Sequence, residues 1–207
     1  MAFITAFIWG TTFVSTKILL RTLDPVQILF YRFLVAYVAL LVIYPRFNFR
    51  IDLKEELWFF LAGLCGVTLY FLSENTALQF TLASNVGLLV AAAPILTALF
   101  AHLFTADEKL GKNLVLGFIT AMAGVFLVIF NGNFILKLNP AGDLLALSAA
   151  LVWSFYCLIL KKFGNRYSYI YLTRKVFFYG LITTVPALFI SGFRFEIQNL
   201  ASFSVIG

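Results

Sequence analysis

Apolar residues in this chain come in long trains separated by short polar punctuation. Each train is about 20 residues long, the length of helix that spans a hydrocarbon core of about 30 Å. The trains predict seven membrane spans, near Ala2–Leu20, Val26–Tyr44, Leu57–Leu78, Ala83–Phe104, Asn113–Phe130, Gly142–Leu160 and Ile170–Gly192. Asp24-Pro25, Pro45-Arg46, Asp107-Glu108-Lys109 and Asn139-Pro140 supply turns and helix caps between them. Only Gln79-Phe80-Thr81-Leu82 joins the third span to the fourth, as a tight uncharged hairpin. Composition agrees: 62% of the residues are apolar and 12% are charged, against about 25% charged in soluble domains. A water-soluble domain of this size cannot bury so much apolar surface. Disorder and a disulfide scaffold are excluded on the same grounds. The chain reads as an all-α integral membrane protein whose first partner is the lipid bilayer.

The net charge of +6 does not point to nucleic acid, because no soluble basic face is available to grip a phosphate backbone. It reflects basic residues at the helix ends. Arg46, Arg50, Lys54, Lys109, Lys112, Lys161, Lys162 and Arg166 fall on one side of the predicted spans, and Arg21, Lys137 and Arg194 on the other. The richer side is expected to be cytoplasmic, which places the N-terminus inside and the protein in the cell membrane. Cys65 and Cys157 both lie in apolar runs and read as small hydrophobes. His102 is the lone histidine and no metal-ligand or nucleotide-binding motif accompanies it, so neither metal nor cofactor is expected. An enzyme is not expected either, since no nucleophile–base constellation is recognisable.

An internal repeat gives the spans an order. Ala6-Phe7-Ile8-Trp9 and Lys17 recur as Ala150-Leu151-Val152-Trp153 and Lys161, and Arg32 matches Arg174 with a slip of two positions. The first copy would start inside and the second outside, so the copies are expected to be inverted, an arrangement common in alternating-access transporters. This predicts a first five-helix repeat over residues 1–132 and the beginning of a second over 141–207. Two complete copies would make ten helices, of which this sequence holds seven and the start of an eighth.

Ionisable groups within a span need a partner or a watery cavity. At 1.5 Å per residue, Arg32 would lie about 9 Å deep, Glu74 about 6–9 Å and Lys17 about 5 Å, all in one layer. Glu74 is expected to pair with Arg32 or Lys17, with Arg174 in the matching layer of the second copy. The blander role for Lys17 and Lys161 is snorkelling to headgroups. A desolvated Glu74 is the candidate for proton coupling. Nearer the midplane sit Trp9, Gly10, Asn85, Pro94 and Trp153. Pro94 should kink its helix, and both tryptophans are too deep for the interfacial belt, so they are candidates to line a cavity. Gly10, Asn85 and the pair Gly117 and Gly124 have helix packing or interhelical hydrogen bonding as their plainer roles.

Taken in order, Trp9-Gly10-Thr11-Thr12-Phe13, Lys17, Pro25, Tyr31-Arg32-Phe33, Glu74-Asn75-Thr76-Ala77-Leu78, Ala83-Ser84-Asn85, Pro94 and Asp107-Glu108-Lys109-Leu110 resemble the EamA-type branch of the drug/metabolite transporter superfamily. Gly117, Gly124-Val125, Gly142-Asp143 and Trp153 continue the resemblance over nearly the whole chain. It implies ten helices in two inverted five-helix repeats, cytoplasmic termini and a central cavity. It also implies transport, commonly export, of small metabolites or drugs.

The expected function is therefore secondary transport of small amphipathic solutes. The cavity is expected to be lined by Trp9, Gly10, Glu74, Asn85, Pro94 and Trp153, with Lys17, Arg32, Glu74 and Arg174 as charge-pairing or coupling groups. The rival is a non-transporting membrane subunit or an inert truncated remnant. A seven-helix receptor fits less well, since it requires an outside N-terminus and no repeat.

Overall fold

The computed structural model describes residues 2–45, 52–104, 111–130, 139–164 and 166–192. Arg46, Arg50, Asp107-Glu108-Lys109-Leu110, Lys137, Arg194 and the expected start of an eighth helix lie outside the described residues. Within them the chain is helix and connecting turn, with no strand. Seven rods follow one another: α1 (Ala2–Leu19), α2 (Pro25–Ile43), α3 (Leu53–Phe80), α4 (Ala83–Phe104), α5 (Lys112–Phe130), α6 (Pro140–Phe163) and α7 (Tyr169–Ile190). Of these, α2, α3, α4 and α6 are both long and apolar enough to cross a membrane.

Local chemistry sets the ends. Pro25 opens α2 behind Asp24, whose backbone N–H donates to Gln27 Oε1 at 3.2 Å. Asp52 caps α3 by accepting from Lys54 N at 3.0 Å, and Glu55 and Glu56 occupy its positive first turn. Asn139 with Pro140 starts α6, and Gly164, at φ 52°, ends it. Two rods are irregular. In α4 the helix pauses at Ala91-Ala92 and resumes at Ala93. Pro94 explains this, because its ring would clash with the Val90 carbonyl four residues back. In α3, residues Leu64–Leu69 form a π-helical turn between two α-helical segments. At 28 residues α3 is about 42 Å long, more than the apolar core needs, so one end carries polar residues beyond it.

This long helix is the spine of the bundle. At one end Phe59 stacks on Phe163 with ring centroids 4.3 Å apart, and at the other Asn139 Nδ2 donates to Phe80 O at 2.9 Å, so α3 and α6 run antiparallel. α7 runs parallel to α3 and crosses it at glycines. A Cβ on Gly63 would fall 2.6 Å from Gly180 N, and one on Gly180 would fall 2.5 Å from Val67 Cβ. Past the crossing, Thr68 Oγ1 donates to Gly180 O at 3.0 Å and shares hydrogen bonds with Thr183 and Thr184. α2 lies antiparallel on α7, with Phe33 edge-on to Phe177 at 4.8 Å and Arg174 donating to Tyr44 O.

Polar residues tie both ends. At one, Glu55 accepts from Arg166 at 3.1 Å and from the Tyr167 hydroxyl, while Glu56 accepts from Lys175 and the Tyr179 hydroxyl. Lys162 adds an ammonium 3.5 Å from the Trp58 ring centroid. At the other end, Thr81 Oγ1 donates to Asp143 Oδ1 at 3.0 Å, Asn85 Nδ2 donates to Thr81 Oγ1 at 3.2 Å, and Lys17 donates to Thr81 O. Gly142 lets the α3–α4 hairpin seat here, since a Cβ would meet Thr81 Cβ at 2.9 Å.

Two predictions follow from these contacts. Gly180→Ala should lower stability by about 1–3 kcal/mol through overpacking, measured by thermal unfolding in detergent. Gly87→Ala, where a Cβ meets nothing within 4 Å, should be neutral or stabilising; equal losses would contradict the crossing. In the α6–α7 loop, hydrogen bonding to Glu55, then burial, pushes the Tyr167 phenol from 10.0 up to about 12. Its contribution is full below pH 10 and is lost as pH rises through about 12. Tyr167→Phe should remove that alkaline step from a stability-versus-pH profile.

Candidate functional site

Between α1, α2, α3, α6 and α7 lies a cavity of about 350 Å³. Its walls are mostly aromatic. Trp153 is the hub: its ring centroid lies 4.7 Å from Tyr70, 5.0 Å from Tyr156 and 6.2 Å from Trp9. Tyr70 leads to Phe71 at 4.6 Å, Phe71 to Phe33 at 5.0 Å, and Phe33 to Phe177 on α7. Edge-on and tilted pairs like these hold one another in place more firmly than aliphatic walls do.

Two charged residues face this space. Glu74, only 5% exposed, lies one turn after Tyr70 on α3, and both line the cavity. Arg32 on α2 lies within electrostatic reach of Glu74, and its guanidinium carbon sits 4.1 Å from the Phe71 ring centroid and 5.4 Å from that of Phe33. The flat cation is thus cushioned on π faces, where a guanidinium is favourably held. The cavity thus carries one basic and one acidic side chain. A small solute entering here meets flat apolar walls with one donor fork and one acceptor group.

The structure brings Trp9, Arg32, Glu74 and Trp153 together around the cavity. It places the other expected residues elsewhere. Gly10 faces outward, with no atom within 4 Å of where its Cβ would stand. Asn85 is buried in the Thr81 cluster, Pro94 is exposed just past the break in α4, and Lys17 donates to Thr81 O. Arg174 is buried against Tyr44 and Tyr171 near the Glu55 end. Of the two partners expected for Glu74, Arg32 lines the same cavity and Lys17 does not. Residues not foreseen include Tyr70, Tyr156, Phe33, Phe177 and Gly66. Tyr70 was discoverable, because it precedes Glu74 by four residues and shares its helix face; Tyr156 follows Trp153 by three. The π turn carrying Gly66 left no such signal.

Removing Arg32 alone would strand a buried carboxylate. Arg32→Met, Glu74→Gln and the double variant should give non-additive losses of stability, with an interaction energy of about 0.5–3 kcal/mol. Chemical unfolding of the three variants in detergent checks this; additive losses would show that the two groups do not interact.

Residues 1–130 match the EamA-like transporter family. The chain is 30% identical over 194 residues to an uncharacterized transporter of Archaeoglobus fulgidus, covering 92% of this chain and 66% of that protein. It is 29% identical to the uncharacterized transporter YdfC of Bacillus subtilis, covering 93% of this chain and 62% of the relative. The chain therefore spans just under two thirds of the length of these relatives. A crystal structure with 19% identity superimposes at a TM-score of 0.63, over 90% of this chain and 68% of the other, which establishes a shared fold. The chain belongs to the EamA-like transporter family, within the drug/metabolite transporter superfamily.

Proposed function

We propose that the full-length protein is a secondary transporter that exports small metabolites or drugs from the cell by alternating access, with the cavity around Trp153 as its solute site. The observation that carries this reading is that buried Glu74 and half-buried Arg32 both line one aromatic cavity. A purely structural helix bundle gains little by burying two charges beside an open space, since apolar residues of similar size would hold it as well. A solute site gains both orientation and discrimination from them. An anion would engage Arg32 and leave Glu74 unpaired, and a cation would do the reverse. Solutes of balanced charge, or cations exchanged for a proton on Glu74, avoid that cost.

Glu74 is the coupling group in this proposal, and Arg32 sets how readily it takes a proton. All seven rods cross the plasma membrane with the N-terminus and the Glu55 end in the cytoplasm, as the distribution of Lys and Arg supports. Residues 1–132 make one five-helix repeat, and 141–207 begin its inverted partner. Trp9 and Trp153 lie on helices that run in opposite directions, as an inverted pair requires. Solute passes as the two repeats rock against each other along the α3–α7 and α3–α6 seams.

Cells expressing the full-length protein and loaded with labelled amino acids or nucleobases test the proposal. Export of at least one of these should rise above that of control cells, and Glu74→Gln should remove most of the added flux and flatten its pH dependence. Flux absent for every solute, or unchanged by Glu74→Gln, would contradict it.

A further inference from the structure

One side chain stands where it does only because a residue on a neighbouring helix has none. Gly66 lies in the π turn of α3, is buried and borders the cavity. Tyr156 of α6 rests directly on it: a Cβ at position 66 would fall 2.5 Å from Tyr156 Cδ2, 2.6 Å from Cε2 and 2.8 Å from Cγ. The overlap involves the base of the ring as well as its edge, so a rotation of the outer atoms does not relieve it. Behind the ring, Tyr156 packs against the buried cluster of Leu29, Phe33 and Val67. With α3 on one side and that cluster on another, the open volume left to the ring is the cavity itself.

We propose that Gly66 and Tyr156 together set the width of the cavity and so determine the largest ring system it admits. The glycine lets the tyrosine lie back against the wall; any side chain there drives the ring into the space a solute would occupy. The π turn belongs to the same device. By adding a residue to the helical turn it presents backbone, in place of a side chain, where the Tyr156 ring lies. A pocket that differs by about one methylene discriminates between ligands by tenfold or more, so Gly66 is a specificity-determining position that acts through Tyr156.

The proposal rests on the transporter reading only in calling the guest a transported solute; admission by size is measured without flux. Trp153, 5.0 Å from Tyr156, serves as the reporter in full-length protein carrying Trp9→Phe and Trp58→Phe in nanodiscs. Its fluorescence is titrated with acrylamide, a small quencher, and with the bulkier nitroxide TEMPOL. Gly66→Ala should cut TEMPOL quenching about tenfold while leaving acrylamide quenching nearly unchanged. Gly66→Ala with Tyr156→Ala should restore it, and Tyr156→Ala alone should raise it. A TEMPOL-to-acrylamide ratio unchanged by Gly66→Ala, or not restored in the double variant, would overturn the proposal. Where Gly66→Ala does not fold, Tyr156→Ala decides: an unchanged ratio there overturns it as well. Size-dependent admission in a protein that moves no solute would sink the transport reading and leave this one standing.

Discussion

Two of the helix backbones meet with no side chain between them. Where α3 crosses α7, neither Gly63 nor Gly180 has a Cβ, and the structure leaves no room for one. In lipid there is no hydrophobic drive to bring helices together, so close backbone approach and interhelical hydrogen bonds must supply the association. Here the glycines allow the approach and the Thr68, Thr183 and Thr184 hydroxyls fill in around it. Every other feature of the site depends on this seam. It sets Val67 and Tyr70 of α3 against α7 and α6, and it fixes the height at which Glu74 meets Arg32 on α2.

The same helix distributes polarity along its length in a way that serves the bundle. Its first turn carries Glu55 and Glu56, which hold the start of α7 and the loop before it. Its last turn leads into Thr81, which gathers Lys17, Asn85 and Asp143. Between these two polar collars, Glu74 and Arg32 line the cavity. The collars sit near the ends, where water and headgroups can reach them. In the cavity between them, two aromatic faces lie against the Arg32 guanidinium.

Much of this was legible in the sequence, because hydropathy and capping are local. The seven rods fall within a few residues of the apolar trains, with Leu53 rather than Leu57 opening α3, since its acidic first turn is too polar to register as a span. Of the residues that burial energetics singled out, Trp9, Arg32, Glu74 and Trp153 border one space. Gly10, Asn85 and Pro94 were chosen by depth, and depth does not say which way a residue faces. Lys17 was expected in one layer with Glu74, and its ammonium instead meets the Thr81 carbonyl at the end of α3. The π turn over Leu64–Leu69 was invisible because no local residue pattern marks it. It shifts the helical phase of everything after Leu69, so a regular 3.6-residue wheel drawn through α3 aims its outer half wrongly.

The central claim is that the space around Trp153 opens alternately to the two sides of the membrane. Thr12 on α1 borders that space, and replacing every native cysteine of the full-length protein, Cys65 and Cys157 among them, leaves a single thiol at Thr12→Cys. Membrane-impermeant thiosulfonate labelling of the full-length variant in sealed vesicles of each orientation measures access directly. The account predicts modification from both faces, with saturating solute favouring one at the expense of the other. Labelling from one face only, or from neither, would contradict it.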